Sequence, residues 1–246
     1  MRFSIILSAC MAIAGVRAAP AGWSPGSAKW LSEIGDYISK HANNGLLQQP
    51  TCDLSKAVLP SNPQLSEVPK DQKLLAVAIG RGTQNYTCSS SSPEKAPKAT
   101  GAMATLFNAS CIASNYPYLL SLLPNVALEL TTPPPFGNSR GPADLMVMGH
   151  HYFDGEGVPI FDLPKLGISS VKKADSKDAP ANAMKGVNTE QEGAVSWLML
   201  ESIPSSTGLA KRVYRVNTAG GKAPSTCVDQ PEQIQIQYSA EYWFYG

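Results

Sequence analysis

The C-terminal stretch Ile234-Gln235-Ile236-Gln237-Tyr238-Ser239-Ala240-Glu241-Tyr242-Trp243-Phe244-Tyr245 decides the fold class of this chain of 246 residues. Apolar or aromatic residues occupy every second position from Ile234 to Phe244, and polar residues fill most of the positions between them. A period of two is typical of a β-strand with one face in the protein interior. The stretch therefore predicts a long strand that is buried on one face.

The residues before this stretch contain many shorter patterns with the same period. Gly and Pro contribute 20 residues each and punctuate the chain, whereas helical patterns are few. Strands are expected at residues 74–79, 83–88, 102–107, 126–131, 145–153, 158–163, 169–174, 195–200, 212–216 and 234–245, with a short helix at 116–123. Short strands between turn residues predict a mainly β fold, an antiparallel β-sandwich or barrel, in which residues 72–246 form the β domain.

The N-terminal part of the chain has the features of an exported protein. Arg2, an apolar stretch at residues 5–16 and the small residues of Val16-Arg17-Ala18 predict a signal peptide over residues 1–18. A membrane anchor that stays attached is the alternative. Residues 19–71 are expected to form one amphipathic helix, around Trp30 and Ile34, and an extended connector, as one globular unit with the β domain. The chain is therefore expected to be secreted and extracellular.

The charge balance argues against partners that need a strong electrostatic field. The chain has 20 Lys and Arg residues and 19 Asp and Glu residues, and charged residues make up 16% of it. A nearly neutral protein has no basic surplus with which to gather nucleic acid or anionic lipid. No other apolar stretch approaches the roughly 20 residues of a membrane span. We therefore expect neither a nucleic-acid partner nor a membrane span.

The cysteines fit an oxidising compartment. Cys10 leaves with the signal peptide, which leaves Cys52, Cys88, Cys111 and Cys227. An even number in a secreted chain predicts two disulfides, for which three pairings exist. Sequence separation favours a local Cys88–Cys111 bridge and a long-range Cys52–Cys227 bridge. Zinc is the rival interpretation, but the chain has no Cys-x-x-Cys pair, so no metal is expected.

Two N-glycosylation sequons lie close to cysteines. They are Asn85-Tyr86-Thr87, directly before Cys88, and Asn108-Ala109-Ser110, directly before Cys111. Strand alternation places Asn85 on the face opposite Tyr86 and Cys88, as an outward glycan and an inward disulfide require. Glycosylation is therefore expected at Asn85 and Asn108.

A glycine pair imitates the start of a dinucleotide-binding turn. Gly80-Arg81-Gly82 follows an apolar strand, but Asn85 occupies the position of the third glycine of that fingerprint. The residues that follow alternate like a strand and offer no helix N-terminus to a pyrophosphate. The motif is therefore interpreted as a tight turn between two strands, and no cofactor is expected.

The candidate catalytic residues are His150, His151 and Asp154. Neighbours on a strand point to opposite faces, so one histidine is expected in the core and the other at the surface or in a cleft. Asp154-Gly155 is typical of a hairpin turn, and a mononuclear metal site of one histidine with Asp154 or Glu156 is the alternative. The motifs of serine hydrolases and zinc proteases are absent from the sequence. Further candidate carboxylates are Glu129, Glu201 and Glu241, and nothing in the sequence ranks one of them above the others as a catalytic group.

The aromatic end of the last strand suggests a ligand surface. Trp243 and Tyr245 lie on the same side of the predicted strand as Gln235, Gln237 and Glu241. Aromatic rings on an exposed sheet face stack on sugars, which makes Trp243 and Tyr245 candidate ligand-binding residues. A central core strand is the alternative interpretation.

Several motifs together resemble a known family. They are the stretches Val77 to Cys88, Gly149 to Phe153, Trp197-Leu198, Val213 to Gly221 and Tyr238 to Tyr245. They resemble a family of secreted fungal proteins, domain of unknown function 3455, whose members are often labelled malate dehydrogenase. The resemblance spans about residues 50–246. It implies secretion and a single domain and supplies no active site, and the incomplete fingerprint at Gly80 argues against a dehydrogenase.

Two functions follow from these observations. The first is a secreted, glycosylated, non-catalytic protein that binds a glycan or protein partner at the cell wall or a host surface. The second is an extracellular hydrolase or lyase whose site is assembled in space from His150 or His151 and a carboxylate. Oligomeric state is left open by the sequence.

Overall fold

The computed structural model describes residues 52–89, 92–132, 147–186 and 193–246. Eight strands follow one another in chain order as a closed antiparallel barrel, and the last strand pairs with the first to complete it. They are β1 (Leu74–Thr87), β2 (Lys98–Asn108), β3 (Val147–Phe153), β4 (Pro159–Leu163), β5 (Gly167–Lys177), β6 (Trp197–Ser202), β7 (Arg212–Gly220) and β8 (Gln233–Tyr245). The prediction of a mainly β, antiparallel fold is confirmed. Of the two architectures expected, a sandwich or a barrel, the structure has the barrel.

Helices lie between β2 and β3 and pack on the outside of the barrel. They are α1 (Ser110–Asn115) and α2 (Pro117–Glu129), and a 3-10 helix (Leu54–Lys56) packs against α1. The strand predicted at residues 126–131 is therefore wrong, because α2 continues through Pro124 to Glu129. The buried residues of α2 are Leu120, Leu122, Pro124 and Leu128, three of which recur every four positions on one helical face. A window as short as residues 126–131 does not distinguish this helical period from the period of a strand.

Strand β8 separates two layers of the hydrophobic core. Its inner face, which includes Tyr238, Tyr242 and Phe244, fills the barrel together with small residues of β1 and β2. Its outer face carries Trp243 and Tyr245, which pack with residues of α1, α2 and β6 in a second layer. The alternation predicted for β8 is thus present along the whole strand, and near its C-terminus both faces are buried.

The Gly80-Arg81-Gly82 motif lies in the middle of β1, so its interpretation as a tight turn is wrong. A Cβ atom at Gly80 would come 2.5 Å from Cε2 of Tyr242, and one at Gly82 would overlap the backbone of Met103 on β2. The two glycines thus allow close packing inside the barrel. Arg81 points outward and donates hydrogen bonds to the carbonyl oxygens of Leu128 and Leu130, which holds the C-terminus of α2 against the barrel.

All four described cysteines form disulfides, but the favoured pairing is wrong. Cys52 is bonded to Cys111 and Cys88 to Cys227, with Cα–Cα distances of 4.4 Å and 5.5 Å. Cys88 follows β1, and the antiparallel β2 then carries the chain back about 35 Å before Cys111 is reached. Cys227 precedes β8, which starts beside the end of β1, so the topology places it next to Cys88.

The predicted signal peptide at 1–18 and the amphipathic helix near the N-terminus lie outside the described residues. Within the described ranges, no helix combines the length and apolar character needed to cross a membrane.

Candidate functional site

One end of the barrel opens into a cavity of about 820 Å³. This end is formed where β1, β3, β5 and β7 finish and where β2, β4, β6 and β8 begin. Its walls include Gln84 and Tyr86 of β1, Phe153 of β3, Lys173 of β5, Leu198 of β6 and Arg215 of β7. Barrel mouths and cavities of this size are common locations for small ligands. We refer to this cavity as the barrel mouth.

Arg215 places a positive charge well inside the barrel mouth. It is 8% exposed and projects from the inner face of β7, beside Leu198 of β6 and Tyr242 of β8. Its Nε and Nη2 atoms donate to the carbonyl oxygen of Ser196 at 3.3 Å and 2.9 Å, and Nη1 lies 3.5 Å from Oε1 of Gln84. Each of these acceptors is neutral. Among the described residues the ion pairs are Lys56–Asp53 and Arg212–Glu201, so Arg215 has no carboxylate partner there.

Polar side chains surround the Arg215 guanidinium. The Nε2 atom of Gln84 is buried and has no hydrogen-bond acceptor in the described part of the chain. The hydroxyl groups of Tyr238 and Tyr242 lie 2.8 Å apart, and Tyr86 donates to the carbonyl oxygen of Gly221 at 2.7 Å. Burial raises the pKa of Tyr238 and Tyr242, so both stay neutral and do not compensate the charge of Arg215.

The rim of the barrel mouth adds further positive charge. Lys173, Lys185 and Lys222 are exposed residues of its wall. Among the described wall residues, Asp178 is the one acidic side chain. The described wall therefore carries four cationic groups against one anionic group, although the whole chain is nearly neutral.

The two candidate histidines lie on opposite sides of the barrel wall, as the alternation predicts. His151 is inside, 4% exposed, with its ring stacked on Phe161 at a centroid distance of 4.3 Å and its Nδ1 2.8 Å from the carbonyl oxygen of Ile160. Burial lowers the pKa of His151 to about 4, so its ring is neutral at physiological pH. His150 is half-buried on the other face, where its neighbours across the sheet are Thr105 and Asp162.

Asp154 is part of the turn between β3 and β4. Its Oδ1 accepts hydrogen bonds from the backbone N–H groups of Glu156 and Val158, both at 2.9 Å. The side chain is exposed and stabilises the turn, whereas His151 is enclosed in the barrel. The structure therefore does not bring His151 and Asp154 together. Among the described residues there is also no cluster of three or more potential metal ligands.

The model of the family DUF3455, whose description is 'protein of unknown function', matches residues 69–246. The match covers the whole barrel. The chain belongs to this family. Searches among curated proteins and among solved structures found no match. For this DUF3455 chain, the function therefore has to be inferred from the site itself.

Trp243 and Tyr245 do not form an exposed aromatic surface. Trp243 is 1% exposed and Tyr245 is 7% exposed, since α1, α2 and the segment around Leu65 pack over this face of β8. The expectation that their rings stack on a glycan is thus wrong. Trp243 instead donates from Nε1 to Oε2 of the buried Glu241, at 2.9 Å. Sequence alternation predicts the face of a residue, but not which neighbouring element covers that face.

The sequence interpretation missed the residues that line the barrel mouth. Arg215 was detectable, because alternation in the predicted strand 212–216 places it on the same inward face as Val213. A charged residue on an apolar strand face is a signal for a buried polar site. Gln84 and the rim lysines carried no such signal, since they meet only when eight strand ends are brought into one ring.

Proposed function

We propose that the protein is a secreted, non-catalytic binding protein that holds the end of a glycan chain in the barrel mouth. The observation that carries the proposal is the cavity itself, a concave space of about 820 Å³ at the end of a closed barrel. Concavity favours a glycan end or another small ligand over a flat protein surface.

The wall chemistry supports binding of a hydroxyl-rich ligand. Ser176, Ser196, Ser225 and Gln84 offer polar atoms, whereas Tyr86, Phe153 and Leu198 supply apolar surface. Sugars present hydroxyl groups at their edges and C–H groups on their faces, so a mixed wall of this kind suits them. A cell-wall glycan is therefore favoured as the partner over a host protein.

The position of the acidic and basic groups supports binding over hydrolysis. Proton transfer in a hydrolase or lyase needs an acid or base within hydrogen-bond reach of the substrate. His151 is not a wall residue of the barrel mouth, and Asp154 is engaged in its turn. His150 lies on the outer face of the barrel opposite Asp162, away from the mouth wall, and the described wall includes no histidine beside Asp178. The barrel mouth therefore favours binding over a hydrolase or lyase site built from a histidine and a carboxylate.

Secretion and glycosylation belong to the same proposal. Two disulfides, Cys52–Cys111 and Cys88–Cys227, are typical of a protein that folds in an oxidising compartment. Asn108 is exposed, and Asn85 lies half-buried on the outer face of β1. Deglycosylation of the protein secreted by a eukaryotic host is expected to lower its mass by two glycans, and by one in each of Asn85→Gln and Asn108→Gln. An unchanged mass would remove this part of the proposal.

A blocked cavity tests the binding function. Ala99 is an exposed residue of the mouth wall, and Ala174→Trp provides a matched control on an exposed alanine of β5 outside the wall. We expect the secreted protein to bind members of a glycan array or extracts of cell-wall oligosaccharides, and Ala99→Trp to abolish that binding while Ala174→Trp retains it. Equal binding by Ala99→Trp and the parent protein would show that the ligand lies elsewhere.

A further inference from the structure

This inference rests on the proposed function, the binding of a glycan in the barrel mouth. The charge of the barrel mouth indicates which class of glycan it binds. We infer that the ligand is an acidic oligosaccharide and that Arg215 binds its oxyanion group inside the barrel mouth. The argument rests on the surroundings of Arg215, on the rim lysines and on the donor of Gln84.

The first step concerns the charge balance at Arg215. Arg215 is 8% exposed as a residue, and the groups beside its guanidinium, which belong to Ser196, Gln84 and Tyr242, are all neutral. A buried cation is stabilised most by an anion in direct contact. A planar guanidinium also matches the paired oxygens of a carboxylate or sulfate group, which adds orientation to charge. An anion in the cavity would therefore complete this site.

The second step concerns Gln84, which lies beside Arg215 in the wall. Its Oε1 faces Nη1 of Arg215, and its Nε2 donor, which points toward the neighbourhood of the Tyr238 hydroxyl, makes no well-formed hydrogen bond in the described part of the chain. Burial of an unmatched N–H donor is unfavourable. An anionic oxygen bound to Arg215 would lie near Nε2 of Gln84, so one ligand group could accept hydrogen bonds from both residues.

The third step concerns the entrance. Lys173, Lys185 and Lys222 surround it, and the described wall opposes them with Asp178 alone. Exposed lysines contribute little to affinity individually, but several around a concave entrance attract anions over a Debye length of about 8–10 Å. The rim thus favours entry of the same ligand class that Arg215 favours inside.

Binding measurements with three probes test this inference. The probes are tetragalacturonate, a sulfated tetrasaccharide and uncharged galactotetraose, each titrated calorimetrically into the full secreted chain. We expect at least one acidic probe to bind at least tenfold more tightly than the uncharged probe. We also expect its affinity to fall at least tenfold in Arg215→Gln and to be partly retained in Arg215→Lys.

The rim provides a second set of variants that leaves the barrel interior unchanged. The triple variant Lys173→Gln/Lys185→Gln/Lys222→Gln is expected to weaken the acidic probe two- to tenfold and to flatten its salt dependence. The matched control is Lys73→Gln/Lys165→Gln/Lys211→Gln, which neutralises three exposed lysines at the opposite end of the barrel. This control is expected to bind as the parent does.

The outcomes separate this inference from the proposed function. Equal affinity for charged and uncharged probes, with loss of both in Ala99→Trp, would overturn the inference and leave the binding function standing. Undiminished acidic binding in Arg215→Gln and in the rim variant would also overturn the inference. Absence of binding by all three probes would count against both proposals.

Discussion

Glu241 is a carboxyl group in the outer layer of the core. It is 0% exposed and lies between Ile79 of β1 and Val216 of β7. Asn217, which has a positive φ of 44° at a bulge of β7, donates to Oε1 at 2.7 Å, and Trp243 donates to Oε2. Burial outweighs these two hydrogen bonds and raises the pKa of Glu241 to about 7.

This pKa predicts how stability depends on pH. Because the pKa is higher in the folded state than in the unfolded state, ionisation of Glu241 lowers the free energy of unfolding as pH rises from about 4.5 to above 7. Glu241→Gln should lack this loss. Between pH 5 and pH 8, the free energy of unfolding of the variant should therefore rise by about 2–3 kcal/mol relative to that of the parent. Urea unfolding at both pH values measures the difference. The exposed Glu156→Gln is the control, and a parallel response of parent and Glu241→Gln would contradict the prediction.

His151 has the opposite effect on stability. Its pKa is lowered to about 4 in the folded state, so the unfolded state binds the proton first and stability is lost as pH falls from about 6.5 to 4. His151→Asn should be less stable than the parent at pH 7.5, since it loses the stacking on Phe161, but should lose about 2–3 kcal/mol less on acidification to pH 4.5. His150→Asn, on the outer face of the same strand, should retain the acid sensitivity of the parent. If the free energy of unfolding fell equally with pH in the parent, His151→Asn and His150→Asn, His151 would not titrate in this range.

At the scale of elements, β1 is shaped by its glycines. A Cβ at Gly80 would come within 2.5 Å of the Tyr242 ring and 3.2 Å of Leu106, whereas nothing lies within 4 Å of a Cβ at Gly155. Gly80→Ala is therefore expected to reduce the free energy of unfolding by about 1–3 kcal/mol, and Gly155→Ala to leave it within about 0.5 kcal/mol. Thermal unfolding of the two variants makes the comparison. Equal melting temperatures would mean that β1 and β8 adjust without strain.

The elements differ in how far their sequence predicts them. Strand β8 was predictable in its extent and in both of its faces, because a period of two over twelve residues has no helical counterpart. Residues 126–131 were not, since their four apolar positions fit both periods and the helix that ends at Glu129 is fixed by packing on the barrel. Gly80-Arg81-Gly82 failed for another reason: glycine marks close packing in a strand as well as a turn in a loop.

For the whole molecule, composition hides the feature that matters most at the site. The 20 basic and 19 acidic residues nearly cancel, so the composition predicts no strong electrostatic field for the chain as a whole. Closure of eight strands nevertheless collects Lys173, Lys185, Lys222 and Arg215 around one opening. Residues so distant in sequence meet only through the register of the barrel, which no local pattern encodes. The candidate site therefore depended on topology, whereas the fold class depended on periodicity.

The disulfides stabilise opposite ends of the barrel, and their contributions are separable. Cys88–Cys227 spans 139 residues at the mouth, and Cys52–Cys111 spans 59 residues at the end where α1 begins. In the chain-entropy account, these separations correspond to about 5 and about 4 kcal/mol. Cys88→Ser/Cys227→Ser should therefore lose at least as much stability as Cys52→Ser/Cys111→Ser, measured by urea unfolding without reductant. Peptide mapping of the unreduced parent should recover both linked pairs. A peptide that links Cys88 to Cys111 would contradict the antiparallel β1–β2 arrangement, because these cysteines lie beyond opposite ends of that hairpin.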